Sequence, residues 1–374
     1  MDVIGTILAF IGVLVVLVLV HELGHFVVAK RAGITVQEFG VGFPPRITSV
    51  VWRGTRYSLN WIPLGGFVKM LGEDGETEAE RMRERGLSEA AVDKTMEGAF
   101  NRKPIGVRMA VLLAGVVMNF LLAGILFSVA LAMPIPQGRG PLTVTQIQAD
   151  SPAVDVLQVR DQIVTADGRT FPASADLTAY VRSRAGQEVR LGIERAGSLI
   201  EVTVIPRRLT ERDLAQGKGA IGFSYEPERF VEVPSTVTGP VDAVVKGFSE
   251  AGYLAIRIPG GLAEAVGGLL GLNDSAGSAV GPIGIAEETG RQLQAPLVNQ
   301  LIFVGILSVN LAVLNVLPFP PLDGGRIAVV LIEAVRRRRL PAEREAMIYL
   351  TGFMVLIALV ILISIQDVQR LIEG

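Results

Sequence analysis

Val20-His21-Glu22-Leu23-Gly24-His25-Phe26 closes a stretch that starts at Val3 and carries no charged side chain before Glu22. The heptapeptide contains the pattern H-E-x-x-H, which on a helix presents two imidazoles and one carboxylate. Residues four apart lie on one helix face, about 6 Å apart along the axis. Such a pair suits two ligands of one tetrahedral zinc ion, with the glutamate left to handle a proton. Ionisable groups within an apolar span are costly to desolvate and usually functional. His21 and His25 are also the two histidines of the entire chain.

Three further apolar segments follow, over 109–136, 295–322 and 347–365. Each, like the first, approaches or exceeds the ~20 residues that cross hydrocarbon as a helix. The expected fold class is a polytopic α-helical membrane protein with four transmembrane helices. The first segment lacks a basic leader and a small-residue cleavage site, so it is expected to remain uncleaved. Charged residues are 19% of the 374, below the roughly one quarter of soluble domains. A net charge of −2 gives no argument for nucleic acid. The absence of cysteine excludes disulfides, thiol nucleophiles and cysteine-ligated metals.

Basic residues near the helix ends set an expected orientation. Lys30 and Arg31 follow the first segment, Arg102, Lys103 and Arg108 precede the second, and Arg336 to Arg339 separate the third from the fourth. These connections are expected to be cytoplasmic. Both termini, and the long segment between the second and third helices, then lie outside.

After the first helix, Thr35–Phe39, Ile47–Trp52, Tyr57–Ile62 and Phe67–Met70 are short runs rich in β-branched and aromatic residues. Glycine and proline punctuate them, with Arg53-Gly54-Thr55-Arg56 as a hairpin turn. A membrane-associated β-hairpin or sheet is expected here, with a free edge able to take an extended peptide as an added strand. Residues 72–98 read as helix and loop. Farther on, Leu142–Ile147 reads as a strand, Ser151-Pro152-Ala153 as a helix start and Gln162–Ala166 as a strand. A helix over Leu177–Arg184 and strands over Glu188–Glu194 and Ile200–Ile205 complete a compact α+β domain. Residues 247–272 are apolar with scattered charges; Pro259-Gly260-Gly261 is expected to break them, and a helix on the outer membrane surface fits better than a fifth span.

A catalytic zinc needs three protein ligands and an open position. With no other histidine or cysteine, the third must be a carboxylate. The best candidate is Asp323 in Asn315-Val316-Leu317-Pro318-Phe319-Pro320-Pro321-Leu322-Asp323-Gly324-Gly325-Arg326, since it ends the third apolar segment, where a lone carboxylate is costly. The prolines must unwind a helix there, which at membrane depth is tolerated around a wet cavity. Gly324-Gly325 allows the chain to turn closely past the metal. Glu22 is then the expected general base of a hydrolysis. A membrane scaffold with a relict metal site, and a metal or proton transporter, are the alternatives.

Together, His21-Glu22-Leu23-Gly24-His25-Phe26 and Asn315 to Gly325 resemble the site-2 protease family of zinc intramembrane proteases. Pro63 to Met70, Gly281-Pro282-Ile283-Gly284-Ile285 and the α+β domain resemble its bacterial members of the regulator-of-sigma-E-protease type, here with a single PDZ domain. That domain is similar to protease PDZ domains in its S-P-A step and D-x-I-x-x-x-x-G pattern. Arg160 stands where a glycine usually precedes the aspartate, Asp155-Val156-Leu157 replaces the usual A-G-L, and Gly115-Val116-Val117-Met118-Asn119 lacks the proline that often follows the glycine. The resemblance implies Zn2+ held by His21, His25 and Asp323, catalysis by Glu22, and substrate contacts from Asn315 and from Gly65, Gly66 and Phe67 of the β segment. It implies single-pass membrane protein substrates such as anti-sigma factors, or remnant signal peptides. It further implies a bacterial inner membrane setting, in contact with the lipid bilayer, with the PDZ domain and both termini extracytoplasmic.

The expected division is 1–33 for helix 1, 34–104 for the β segment and loop, and 105–136 for helix 2. The PDZ-like domain takes 137–212, and a linker with the surface helix takes 213–294. Helix 3 with its aspartate motif takes 295–326, a basic loop 327–346, and helix 4 with the tail 347–374.

Overall fold

The computed structural model describes residues 3–73, 77–171, 173–210, 213, 218–235, 237–269, 272, 280–338 and 340–373. Arg339 of the basic run and most of 270–279 in the expected linker lie outside them. The chain divides into two compact units, one formed by 1–131, 237–266 and 279–374, the other by 132–236 and 267–278.

In the first unit, α1 (Val3–Arg31) runs through the histidine motif without interruption and ends on Lys30 and Arg31, cations suited to a helix C-terminus. Two long antiparallel strands follow, β1 (Val36–Trp52) and β2 (Thr55–Met70). Each folds over on itself, so the four expected short runs lie side by side. Ser58 pairs with both Gly40 and Ser49, Leu59 with both Val41 and Thr48, and Gly40 also with Phe67. The ribbon order is therefore 48–52, 55–59, 38–41, 66–69, and the segment 66–69 forms one margin of the sheet. Near the hairpin tips, Ile47, Val50, Val51, Trp52, Trp61, Ile62 and Leu64 expose their apolar side chains. Short helices α2 (Thr77–Glu84) and α3 (Glu89–Met96) come next, the latter capped where Ser88 Oγ accepts from Ala91 N–H at 3.4 Å. They lead to α4 (Ile105–Ala132).

The second unit holds a five-stranded antiparallel sheet: β3 (Ile135–Ile147), β4 (Gln162–Ala166), β5 (Val189–Arg195), β6 (Ser198–Val204) and β7 (Phe223–Val233), in spatial order β6-β5-β4-β3-β7. Helix α5 (Ser174–Ser183) precedes β5. Val189, Leu191 and Ile193 alternate along β5 and all point into the core. Residues 151–156 form turns, where a helix start was expected. Ala153 N–H donates out of that segment to Ile221 O at 3.0 Å, committing its backbone to tertiary contact. β7 extends the unit past 212, the end expected for this domain. Arg160 adopts φ +79°, a backbone region that glycine occupies without strain.

Back in the first unit, α6 (Pro240–Leu269) is one continuous helix, correcting the expected break at Pro259-Gly260-Gly261. Packing overrides the local signal: Ala251, Leu254, Ala255 and Ile258 join Ala123 and Phe127 of α4 in one apolar cluster, which braces the turns before the proline. Helix α7 (Pro282–Gln292) starts with proline at its first turn. Helix α8 (Leu297–Val316) stops before the proline-rich segment, and α9 (Asp323–Arg336) starts after it. The last helix is α10 (Ala342–Glu373). Its Asp367 is buried and accepts the N–H groups of Gly281 and Gly284 at 3.2 and 2.9 Å, capping α7 from another element. Among the described residues, four helices are long and apolar enough to cross a membrane: 3–31, 105–132, 297–316 and 343–369.

Candidate metal centre

His21 and His25 point off one face of α1 and are 6% and 5% exposed. The aspartate at the first turn of α9 meets them. Asp323 Oδ2 lies 2.9 Å from His21 Nε2 and 3.1 Å from His25 Nε2, and the two Nε2 atoms are 3.1 Å apart. Three potential ligand atoms thus converge from positions 302 residues apart in sequence.

The surroundings of these side chains explain the convergence. His25 Nδ1–H donates to the carbonyl of Val111 at 2.8 Å, which fixes the tautomer and leaves the Nε2 lone pair facing Asp323. The rings lie against Gly115 of α4, where a Cβ would overlap His25 Nε2 and come within 2.8 Å of His21 Nε2. Gly24, on the turn between the histidines, lies so near α4 that a Cβ would overlap Ala114 O. On the aspartate side, a Cβ at Gly324 would overlap the carbonyl oxygens of Val316 and Leu317. The glycines after Asp323 therefore let α9 fold back hard against the end of α8. Arg326, one turn along, makes an ion pair with Glu73 just beyond β2.

Glu22 is half-buried on the same turn as His21, and β2 passes beside it. Gly66 lies so close that an added Cβ would be 3.9 Å from Glu22 Cγ and 3.0 Å from Leu19 Cδ2. Gly65, at φ +101°, packs against Val18 in the same way. Phe67 lies over Gly40 and stacks on Phe43 with ring centroids 6.2 Å apart. Asn315 is half-buried on the last turn of α8 and donates from Nδ2 to Leu311 O of its own helix at 2.9 Å. The structure thus brings His21, His25 and Asp323 into mutual contact, sets Gly65 and Gly66 against α1 beside Glu22, and keeps Asn315 bonded to its own helix.

Gly115 and Asn119, noted in the sequence for the missing proline between them and given no role at the metal, face the histidines from α4. The signal was present: glycine and a lone asparagine at i and i+4 occupy one face of an apolar span.

The residues fit a zinc ion. Two imidazole nitrogens and one carboxylate oxygen are a catalytic zinc donor set. Bonds of about 2.0–2.1 Å place tetrahedral ligand atoms roughly 3.3 Å apart, a few tenths of an ångström wider than the separations here.

A family model described as peptidase family M50 matches residues 9–359. The chain belongs to peptidase family M50. M50 comprises the zinc-dependent site-2 proteases. A relative from Clostridium perfringens is 35% identical over 353 residues, covering 94% of this chain and 95% of its own. Zinc metalloprotease RasP of Geobacillus kaustophilus is 29% identical over 98% of each chain. The regulator of sigma-W protease RasP of Bacillus subtilis is 28% identical over 98% of this M50 chain and 99% of its own. Among solved structures, the PDZ domain of an SdrC-like protein from Listeria monocytogenes is similar over 22% of this chain and 85% of that domain, at 24% identity and a TM-score of 0.20.

Proposed function

We propose that this M50 peptidase is a zinc-dependent intramembrane endopeptidase that cuts membrane-spanning segments of other proteins. The observation that carries this reading is the meeting of Asp323 with His21 and His25 within 3.1 Å, beside Glu22, the latter three on a helix long enough to cross a membrane.

His21 Nε2, His25 Nε2 and Asp323 Oδ2 are assigned as the zinc ligands. When bound, the metal supplies Lewis acidity that polarises the scissile carbonyl and acidifies water. Glu22 acts as general base, taking a proton from the attacking water and returning it to the leaving amide nitrogen. Val111 O holds the His25 ring in its metal-facing tautomer. The sheet margin at Gly66–Lys69 is suited to receive an unwound substrate as a further strand, which places the scissile amide beside Glu22. Gly65, Gly66 and Phe67 are assigned to that contact. Asn315 is assigned to the substrate backbone, which requires it to exchange its bond to Leu311 O for the bound chain.

The 5-stranded unit is assigned as a PDZ-like domain, on its strand and helix order and on the Asp161 turn. The exposed apolar tips of β1 and β2 favour a hairpin dipping into lipid. Single-pass membrane proteins are the proposed substrates, anti-sigma factors first, in keeping with the name of the Bacillus subtilis relative, with remnant signal peptides a second class. The setting is the bacterial inner membrane, with basic connections inside and both termini and the PDZ-like domain outside, on the distribution of Lys30, Arg31, Arg102, Lys103, Arg108 and Arg336. The domain division stated from sequence is kept with two changes: the PDZ-like part extends to include β7, and the basic loop expected over 327–346 is helical in α9 as far as Arg336.

Incubating detergent-purified protein with a labelled single-span polypeptide tests the reading. Cleavage within the span that disappears on chelation and in Glu22→Gln is expected; zinc-independent cleavage, or none with a zinc-loaded protein across a panel of spans, refutes it.

A further inference from the structure

Asn119 of α4 is 0% exposed, and its side-chain Nδ2 lies 3.3 Å from His21 Nδ1. Its Oδ1, equally buried, has no hydrogen-bond partner among the described residues. The oxygen and nitrogen of an amide are nearly alike in shape, so a half-turn of the side chain exchanges the two atoms and brings Oδ1 to His21.

We infer that Asn119 is a positioning residue for the metal: its Oδ1 accepts the Nδ1–H of His21 and so holds that imidazole with its Nε2 lone pair toward Asp323 and His25. Two observations support this proton placement. With the amide donating instead, the His21 proton would sit on Nε2, the atom that faces Asp323 Oδ2 at 2.9 Å and His25 Nε2 at 3.1 Å, and that nitrogen could ligate nothing. His25 already shows the matching arrangement, its Nδ1–H held by the carbonyl of Val111 eight residues earlier on the same helix. The helix α4 thus serves both histidines: by backbone for His25, by side chain for His21.

Asn119 is itself held in place. Ser308 Oγ donates to its backbone carbonyl at 2.8 Å, joining α4 to α8 at this level. One turn earlier on the same face, Gly115 leaves the space in which both Nε2 atoms lie. Glycine and asparagine at this spacing therefore form a cradle, the glycine giving room on the ligating side and the asparagine orienting the ring from behind.

The inference rests on the zinc reading, and the experiment separates the two. Zinc affinity is measured by chelator competition on the full-length protein in detergent, for the wild type, Asn119→Leu and Asn119→Asp. Partners of ligating histidines typically matter by about 10–100-fold in metal affinity. Leucine, which has the bulk and no acceptor, is expected to weaken zinc binding by about that factor. Aspartate can only accept, so it is expected to stay within about threefold of the wild type; an amide acting as donor predicts the opposite. With two histidines in the chain, 15N-histidine labelling gives a second readout on the zinc-loaded protein. His21 Nδ1–H should exchange slowly with water in the wild type and rapidly in Asn119→Leu, with His25 unchanged as the internal control. Unaltered affinity in Asn119→Leu, or equal weakening in Asn119→Asp, overturns the inference while leaving the zinc site standing. Should the leucine variant fail to fold, weakened affinity in the aspartate variant alone decides against it. A wild type that binds no zinc removes both readings together.

Discussion

Gly66 of β2 and Glu22 of α1 are so close that a single carbon added to the glycine would be 3.9 Å from Glu22 Cγ. The same carbon would be 2.8 Å from Gly40 O across the sheet, so the ribbon has no room to step aside freely. Gly66→Val should therefore push the sheet margin off α1 while leaving His21, His25 and Asp323 in place. A misplacement of about 1 Å at a reacting site costs on the order of 100-fold. Cleavage of a single-span substrate is expected to fall by roughly that factor with zinc content unchanged. Retained activity would show that the strand does not position the substrate.

Glu22 and His25 stand one turn apart and should respond differently to substitution. Glu22→Gln keeps the ligand set and removes the proton carrier, so zinc stays bound while turnover falls by at least about 10²–10⁴. His25→Ala should lose zinc and activity together. Metal analysis alongside a cleavage assay distinguishes them, and equal zinc loss in both would contradict the roles assigned.

The extramembrane sheet carries its own pH dependence. Asp161 is 1% exposed; it accepts from Arg195 Nε and Nη2 at 2.8 and 2.6 Å and from Gln158 N–H at 2.7 Å. Burial pushes its pKa up, but the guanidinium and the Gln158 N–H outweigh burial and hold it below the ordinary carboxylate range. A carboxylate with a depressed folded pKa stabilises the fold above its unfolded value, about 3.9, and loses that contribution as pH falls through the folded value. Because Arg195 is partly solvent-exposed, the contribution is discounted to about 1–2 kcal/mol. The protection factors of β4 and β5 amides, which divide out the intrinsic pH dependence of exchange, should fall as pH drops from neutral through the carboxylate range, and Asp161→Asn should flatten that dependence. Identical profiles would argue against the pair.

Arg160, directly before that aspartate, sits at φ +79° without the freedom of glycine. Arg160→Gly should relieve about 1 kcal/mol of backbone strain. Slower exchange of β4 amides in the variant is the expected sign, and faster exchange would contradict it.

What the sequence revealed, and what it hid, divides along the range of the interactions. The histidine pair was legible because both residues share one helix turn, and Asp323 because a chain with two histidines and no cysteine leaves only a carboxylate. The four β runs were legible from their glycines and prolines, but not the double pairing of Gly40 and Leu59, which depends on two strands folding over together. β7 was missed because Pro227 and alternating charges mute its pattern. The break expected at Pro259 did not form, since contacts from α4 are invisible to local propensity. Gly115 and Asn119 escaped for the same reason: their meaning lies in what α1 places against them.

The central claim is that His21, His25 and Asp323 hold one zinc ion. Zinc bound per chain, measured on purified wild-type and Asp323→Asn protein after identical dialysis against a weak chelator, tests it most directly. The account predicts one zinc per chain in the wild type and loss of most of it in the variant. A wild type without stoichiometric zinc, or a variant that holds it equally well, would contradict it.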